Sequence, residues 1–85
     1  MFVLLVYDIN VKRVNKILKT CRVYLTWVQN SVFEGNITEA DLVRFIAAIK
    51  NVIREEDNVL VYKFNFGYTE KQVLGRLKGE PTAFF

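Results

Sequence analysis

The sequence predicts an α+β fold built on one open β-sheet. Three observations carry that prediction. Apolar, β-branched and aromatic runs open the chain and recur at its middle and end. Two intervening segments repeat apolar residues at helical spacing, and turn-forming residues punctuate the joins. At 85 residues, with no internal repeat, low-complexity tract or linker, the chain is expected to be a single domain over 1–85.

The first strand is expected from Phe2 to Tyr7, apolar at both parities as in the middle of a sheet. Asp8 ends it, and Asn10 is placed to cap a helix. Val11, Val14, Leu18, Cys21 and Leu25, with Ile17 beside them, form that helix's apolar stripe, so Cys21 reads as a small buried hydrophobe. Trp27 to Glu34 turns extended and stops at Gly35-Asn36. Trp27 and Phe33 read as core, and Gln29, Asn30 and Ser31 as residues that satisfy the backbone of a bent strand.

Thr38 with Asp41 resembles a capping box for a second helix, whose stripe is Leu42, Phe45, Ile46, Ile49 and Ile53. Arg54 to Asp57 closes it as a solvated charged turn. Val59 to Phe66 is strand-like, with Leu60, Tyr62, Phe64 and Phe66 on one face, and Gly67 breaks it. Lys71 to Leu74 suggests a short strand, and the tail Thr82 to Phe85 is expected to pack as an edge strand on a partner. Between Leu25 and Thr38 there is little room for two ordinary strands, unless Trp27 to Gly35 bends into two short pieces. Periodicity therefore leaves the topology open.

Composition narrows the chemistry. Hydrophobic residues make up 52% of the chain, too many for a disordered segment. No apolar run approaches the ~18–20 residues of a membrane span, and Met1 leads straight into a strand-like segment, so the expected setting is the cytoplasm, without membrane contact. The chain has no histidine, which excludes Ser-His and Cys-His centres and His-based ribonuclease or zinc chemistry. Any metal site must use carboxylates, carbonyls and water, ligands that suit magnesium or manganese. Twelve aromatics in so small a core point to an apolar partner surface, with self-association its expected form.

Charge is segregated. Residues 9–25 carry five bases and no acid, whereas residues 34–57 carry six acids and three bases. Lys12, Lys16 and Lys19 share one helix face opposite the apolar stripe, a ridge suited to phosphate backbone or simply to solvent. Asp8 is the only acid in the first 33 residues. A carboxylate at a strand end commonly serves a turn. If a two-fold axis passed beside it, two copies of Asp8 would meet and could not both stay ionised without a cation or a proton between them. A bridging divalent metal would activate water and offset charge on a phosphodiester. Arg13, one turn into the helix, can contact a phosphate or pair with Asp8.

Several strings together resemble a known family. They are Val6-Tyr7-Asp8-Ile9-Asn10, Arg13-Val14, Tyr24 to Gly35 and Thr38-Glu39-Ala40. The stretch Val28 to Gly35, reading Val-Gln-Asn-Ser-Val-Phe-Glu-Gly, is the most distinctive. These resemble the CRISPR-associated adaptation proteins called Cas-two, over almost the whole chain.

The resemblance implies a ferredoxin-like β-α-β-β-α-β sandwich: one open antiparallel sheet, two helices on one face, and a C-terminal strand added to the partner subunit of a homodimer. It implies a metal-dependent endonuclease of the endoribonuclease type, acting on single-stranded RNA or duplex DNA in spacer acquisition. The catalytic and metal-binding carboxylate then falls on Asp8, with Mg2+, or Mn2+, as cofactor. Tyr7, Arg13 and Phe33 take the family's supporting or nucleic-acid-binding positions. Some members carry Arg four residues before Ser31, where this chain has Trp27. The family also bridges the CRISPR adaptation integrase, which implies a second reading as a non-catalytic DNA-binding scaffold.

Overall fold

The computed structural model describes residues 1–65 and 67–76. The order of elements is β1 (Phe2–Asp8), α1 (Val11–Tyr24), β2 (Thr26–Gln29), β3 (Val32–Asn36), α2 (Glu39–Val52), β4 (Asn58–Asn65) and β5 (Tyr68–Gly75). The five strands form one sheet in the order β2-β3-β1-β4-β5, and every neighbouring pair is antiparallel. The first six elements are the ferredoxin-like β-α-β-β-α-β unit, and β5 extends it.

Two strands do fit between the helices because both are short. β2 and β3 span four and five residues, and Asn30 turns between them at φ 44°, a left-handed conformation that Asn tolerates. The register shifts between Trp27 and Gln29, which absorbs the remaining mismatch. β1 is the central strand, paired with β3 on one side and β4 on the other.

Alternation sorts the sheet residues. Val3, Leu5 and Tyr7 of β1, Phe33 of β3, Val59 and Val61 of β4 and Leu74 of β5 are buried in one core with Ile17 and Cys21 of α1 and Leu42, Phe45 and Ile49 of α2. Tyr24 and Phe45 seal the helix pair, their ring centroids 5.1 Å apart. Burial pushes the Cys21 thiol up to about 12, in keeping with an inert core position.

Both expected caps form. The Asn10 side chain accepts from the Lys12 N–H, and Thr38 accepts from the Asp41 N–H. Val11 departs from expectation: it is 80% exposed, so the packed stripe of α1 begins at Val14. The alternation expected for β4 holds, and Leu60, Tyr62 and Phe64 lie on the face away from the helices. Phe66 lies outside the described residues. Trp27 was expected in the core but is 54% exposed on edge strand β2, its indole N–H donating to the Asn30 carbonyl.

The last described strand is longer than the expected Lys71–Leu74 and pairs within the chain, against β4. The tail Thr82 to Phe85, expected on a partner, lies outside the described residues. No helix among the described residues is long and apolar enough to cross a membrane.

Candidate metal and nucleic-acid site

Strand parity decides where Asp8 points. Tyr7 faces the core, so Asp8 takes the opposite face and is exposed at the end of β1, in register with Asn58 of β4. The β1 and β4 residues sharing that face are apolar apart from Asp8 and Asn58 and mostly only partly covered: Phe2, Leu4 and Val6 from β1, with Leu60, Tyr62 and Phe64 from β4. Glu34 of β3 and Lys71 of β5 lie on the same face, opposite Leu4 and Tyr62. Phe2 and Phe64 pair across the strands with ring centroids 6.0 Å apart. Asp8 thus stands at the rim of an apolar sheet face that neither helix covers.

Tyr7 and Phe33 are brought together beneath it, in the core, with ring centroids 6.4 Å apart. Phe33 is fully buried, and the Tyr7 N–H donates to the Ser31 carbonyl at 3.0 Å. Both residues therefore brace the end of β1 from below. Lys12, Lys16 and Lys19 are exposed on α1, as expected for its outer ridge.

Arg13 is engaged elsewhere. Its Nε donates to Asp57 Oδ2 at 2.7 Å and its Nη2 to Asp57 Oδ1 at 2.9 Å, the two-point geometry that a guanidinium offers a carboxylate. Nη2 also reaches Glu56 Oε1 at 2.6 Å. The structure thus pairs Arg13 with the turn before β4, a partner that neither alternative read from the sequence named. The Arg13 side chain is only 18% exposed.

Asp57 corrects the solvated-turn expectation, because it is fully buried. Besides the Arg13 fork, its carboxylate accepts from the Asn10 N–H at 3.0 Å and the Arg54 N–H at 2.9 Å. The Arg13 side chain holds the Asp57 carboxyl well below the usual carboxylate range, with the two backbone donors adding to the effect against the cost of burial. Glu56 is also lowered, first by a backbone N–H and then by Arg13. Asp57 therefore remains charged and fully satisfied where four segments meet: the β1–α1 turn, the first turn of α1, the α2–β4 turn and the end of β5.

That last junction depends on Gly75. At φ 76° it lies over the Asp57 carbonyl, and a Cβ there would overlap that oxygen. The Arg76 N–H donates to the same carbonyl at 2.7 Å.

Sequence reasoning missed Asp57 because a run of four charged residues reads as solvent-facing. One signal was available: Arg13 is four residues before Ile17, so it borders the buried stripe rather than sharing the face of Lys12, Lys16 and Lys19.

Among the described residues, no three Cys, Asp or Glu cluster as a metal centre. One chain offers Asp8 as a single oxygen donor at the apolar rim. Magnesium commonly takes one or two carboxylates and keeps several waters, so the donor set fits when two copies bring their carboxylates together.

Comparison with known proteins gives a consistent result. The family model described as CRISPR associated protein Cas2 matches residues 1–72. The chain is 45% identical over 82 residues to the CRISPR-associated endoribonuclease Cas2 of Methanocaldococcus jannaschii, covering 95% of this chain and 72% of that protein. It is 44% identical to the protein of the same name from Dictyoglomus turgidum, covering 88% of each. A crystal structure of a cas2 protein superposes with a TM-score of 0.75 at 42% identity, covering 94% of this chain and 92% of that one.

Proposed function

The chain belongs to the CRISPR-associated protein Cas2 family, and on that premise we propose that it is a metal-dependent endoribonuclease whose centre forms between the Asp8 carboxylates of two copies. The observation that carries this reading is the position of Asp8, exposed at the rim of an apolar sheet face that the helices leave uncovered. A second copy laid on that face buries Phe2, Leu4, Leu60 and Phe64 and draws the two rims together. The hydrophobic gain favours such a homodimer in a chain whose own core is small.

In this arrangement the two Asp8 carboxylates would hold Mg2+ or Mn2+, since neither can stay ionised beside the other without a counter-charge. When bound, the ion supplies an activated water and offsets charge on the phosphodiester. The protein's share is placement. Asp8 is fixed by ladder pairing with β4, and Tyr7 and Phe33 brace the strand beneath it. Lys12, Lys16 and Lys19 attract the nucleic-acid backbone without reading its sequence.

The exposed lysine ridge also favours a second reading, in which the protein serves CRISPR adaptation as a dimeric scaffold holding duplex DNA for the integrase. One comparison separates the two. Purified protein and Asp8→Ala are incubated with single-stranded RNA and with duplex DNA, in magnesium and then in chelator. The nuclease reading expects RNA cleavage that chelator stops and that Asp8→Ala lowers by about 100-fold or more, beyond the loss typical of outer-shell changes around metals. Equal cleavage by both proteins would leave only the scaffold.

A further inference from the structure

Arg13 is the base in early α1 where a phosphate contact is the obvious assignment, yet its guanidinium is spent on an acid 44 residues away. Both Asp57 oxygens are taken, by Arg13 and by the backbone N–H groups of Asn10 and Arg54. The Asn10 contact matters most for function. Asn10 stands two residues after Asp8, so the turn carrying the candidate ligand is tied by its own backbone to the buried carboxylate. Asp57 also begins the segment entering β4, whose first residue, Asn58, pairs with Asp8. The acid is thus connected to Asp8 from both sides, through the turn and through the ladder.

We propose that Arg13 and Asp57 act as a positioning pair that fixes the Asp8–Asn10 turn, and that Arg13 makes no contact with nucleic acid. The proposal rests on the nuclease reading for its effect on turnover, but its statement about Arg13 stands apart from that reading. A lysine at 13 would keep the charge and lose the two-point fork. A phosphate contact depends chiefly on charge. The positioning pair depends on geometry.

The test compares wild-type protein with Arg13→Lys, Arg13→Gln and Lys16→Gln, all checked for folding by circular dichroism. Measured are RNA affinity across a salt series, turnover at saturating RNA, and hydrogen exchange of the Asn10 amide. Lys16→Gln calibrates a backbone contact and should flatten the salt slope by about 0.7 on single-stranded RNA. The positioning role expects both Arg13 variants to keep the wild-type salt slope. It also expects turnover about 10- to 100-fold lower and faster exchange at Asn10, with Arg13→Lys no better than Arg13→Gln.

Full activity in Arg13→Lys, with weakened binding and a flattened slope in Arg13→Gln, would overturn the proposal in favour of a phosphate contact. Unchanged exchange at Asn10 would overturn it as well. Should Asp8→Ala itself prove active, the nuclease reading fails on that result alone, and the salt slope and exchange still decide the assignment of Arg13. Asp57→Asn adds a cycle: if Arg13 acts through Asp57, the double variant with Arg13→Lys turns over no more slowly than the slower single variant.

Discussion

Asp57→Ala is expected to cost roughly 3–5 kcal/mol of stability, the range for breaking a buried ion pair from one side. An 85-residue chain holds about 4–13 kcal/mol in total, so this change brings the protein close to unfolding at moderate temperature. The cause is the number of groups left behind. The Asn10 and Arg54 N–H groups and the Arg13 fork all lose their acceptor at once. The same contacts give the effect a pH signature. Because Asp57 titrates lower in the folded protein than the ~3.9 of an unfolded chain, its contribution is complete above about pH 4 and shrinks as the solution is acidified below that. Urea unfolding of both proteins at a fixed protomer concentration, from pH 7 down to pH 2, checks it. The gap between the two stabilities should be widest near neutrality and narrow below pH 4. A gap that stayed constant to pH 2 would contradict the ion pair as its source.

Leu4→Glu should have the next largest effect, on assembly. Leu4 is on the uncovered sheet face, directly opposite Tyr62 of β4 and Glu34 of β3. A carboxylate there would be desolvated by a second copy, so the paired state carries the larger penalty, while repulsion from Glu34 across the β1–β3 ladder costs the isolated chain well under that. Sedimentation is expected to show a dimer for the unsubstituted protein and a monomer for Leu4→Glu at the same concentration. RNA cleavage should fall as far as in Asp8→Ala although Asp8 is intact. A variant that remains dimeric, or a monomer that still cleaves, would disprove pairing through this face.

The sequence and the structure agree where short-range physics decides. The caps at Asn10 and Thr38, the stripe of α2 and the alternation in β4 are local patterns, and each was legible. The two strands between the helices were not, because strands of four and five residues with a register shift carry too little alternation to be counted. Trp27 misled for a related reason. An aromatic in a β-branched run reads as core, and nothing local shows that its strand is at the sheet edge.

At the candidate site, Asp8 stood out as an isolated acid after an apolar strand. The Arg13–Asp57 pair was hidden because it joins residues 44 apart in the sequence. Only the β1–β4 ladder brings that turn beside the start of α1.

The most direct measurement is a crystal structure of the protein grown with manganese, with the anomalous signal recorded. If two copies share a centre at Asp8, one manganese peak should lie on the two-fold axis with an Asp8 oxygen from each subunit at coordinating distance, close to the ~2.0–2.1 Å of magnesium sites. Two Asp8 side chains separated by more than about 10 Å, with manganese bound elsewhere or not at all, would contradict a shared hydrolytic centre, since carboxylates bridged by one small ion lie within about 4.5 Å of each other.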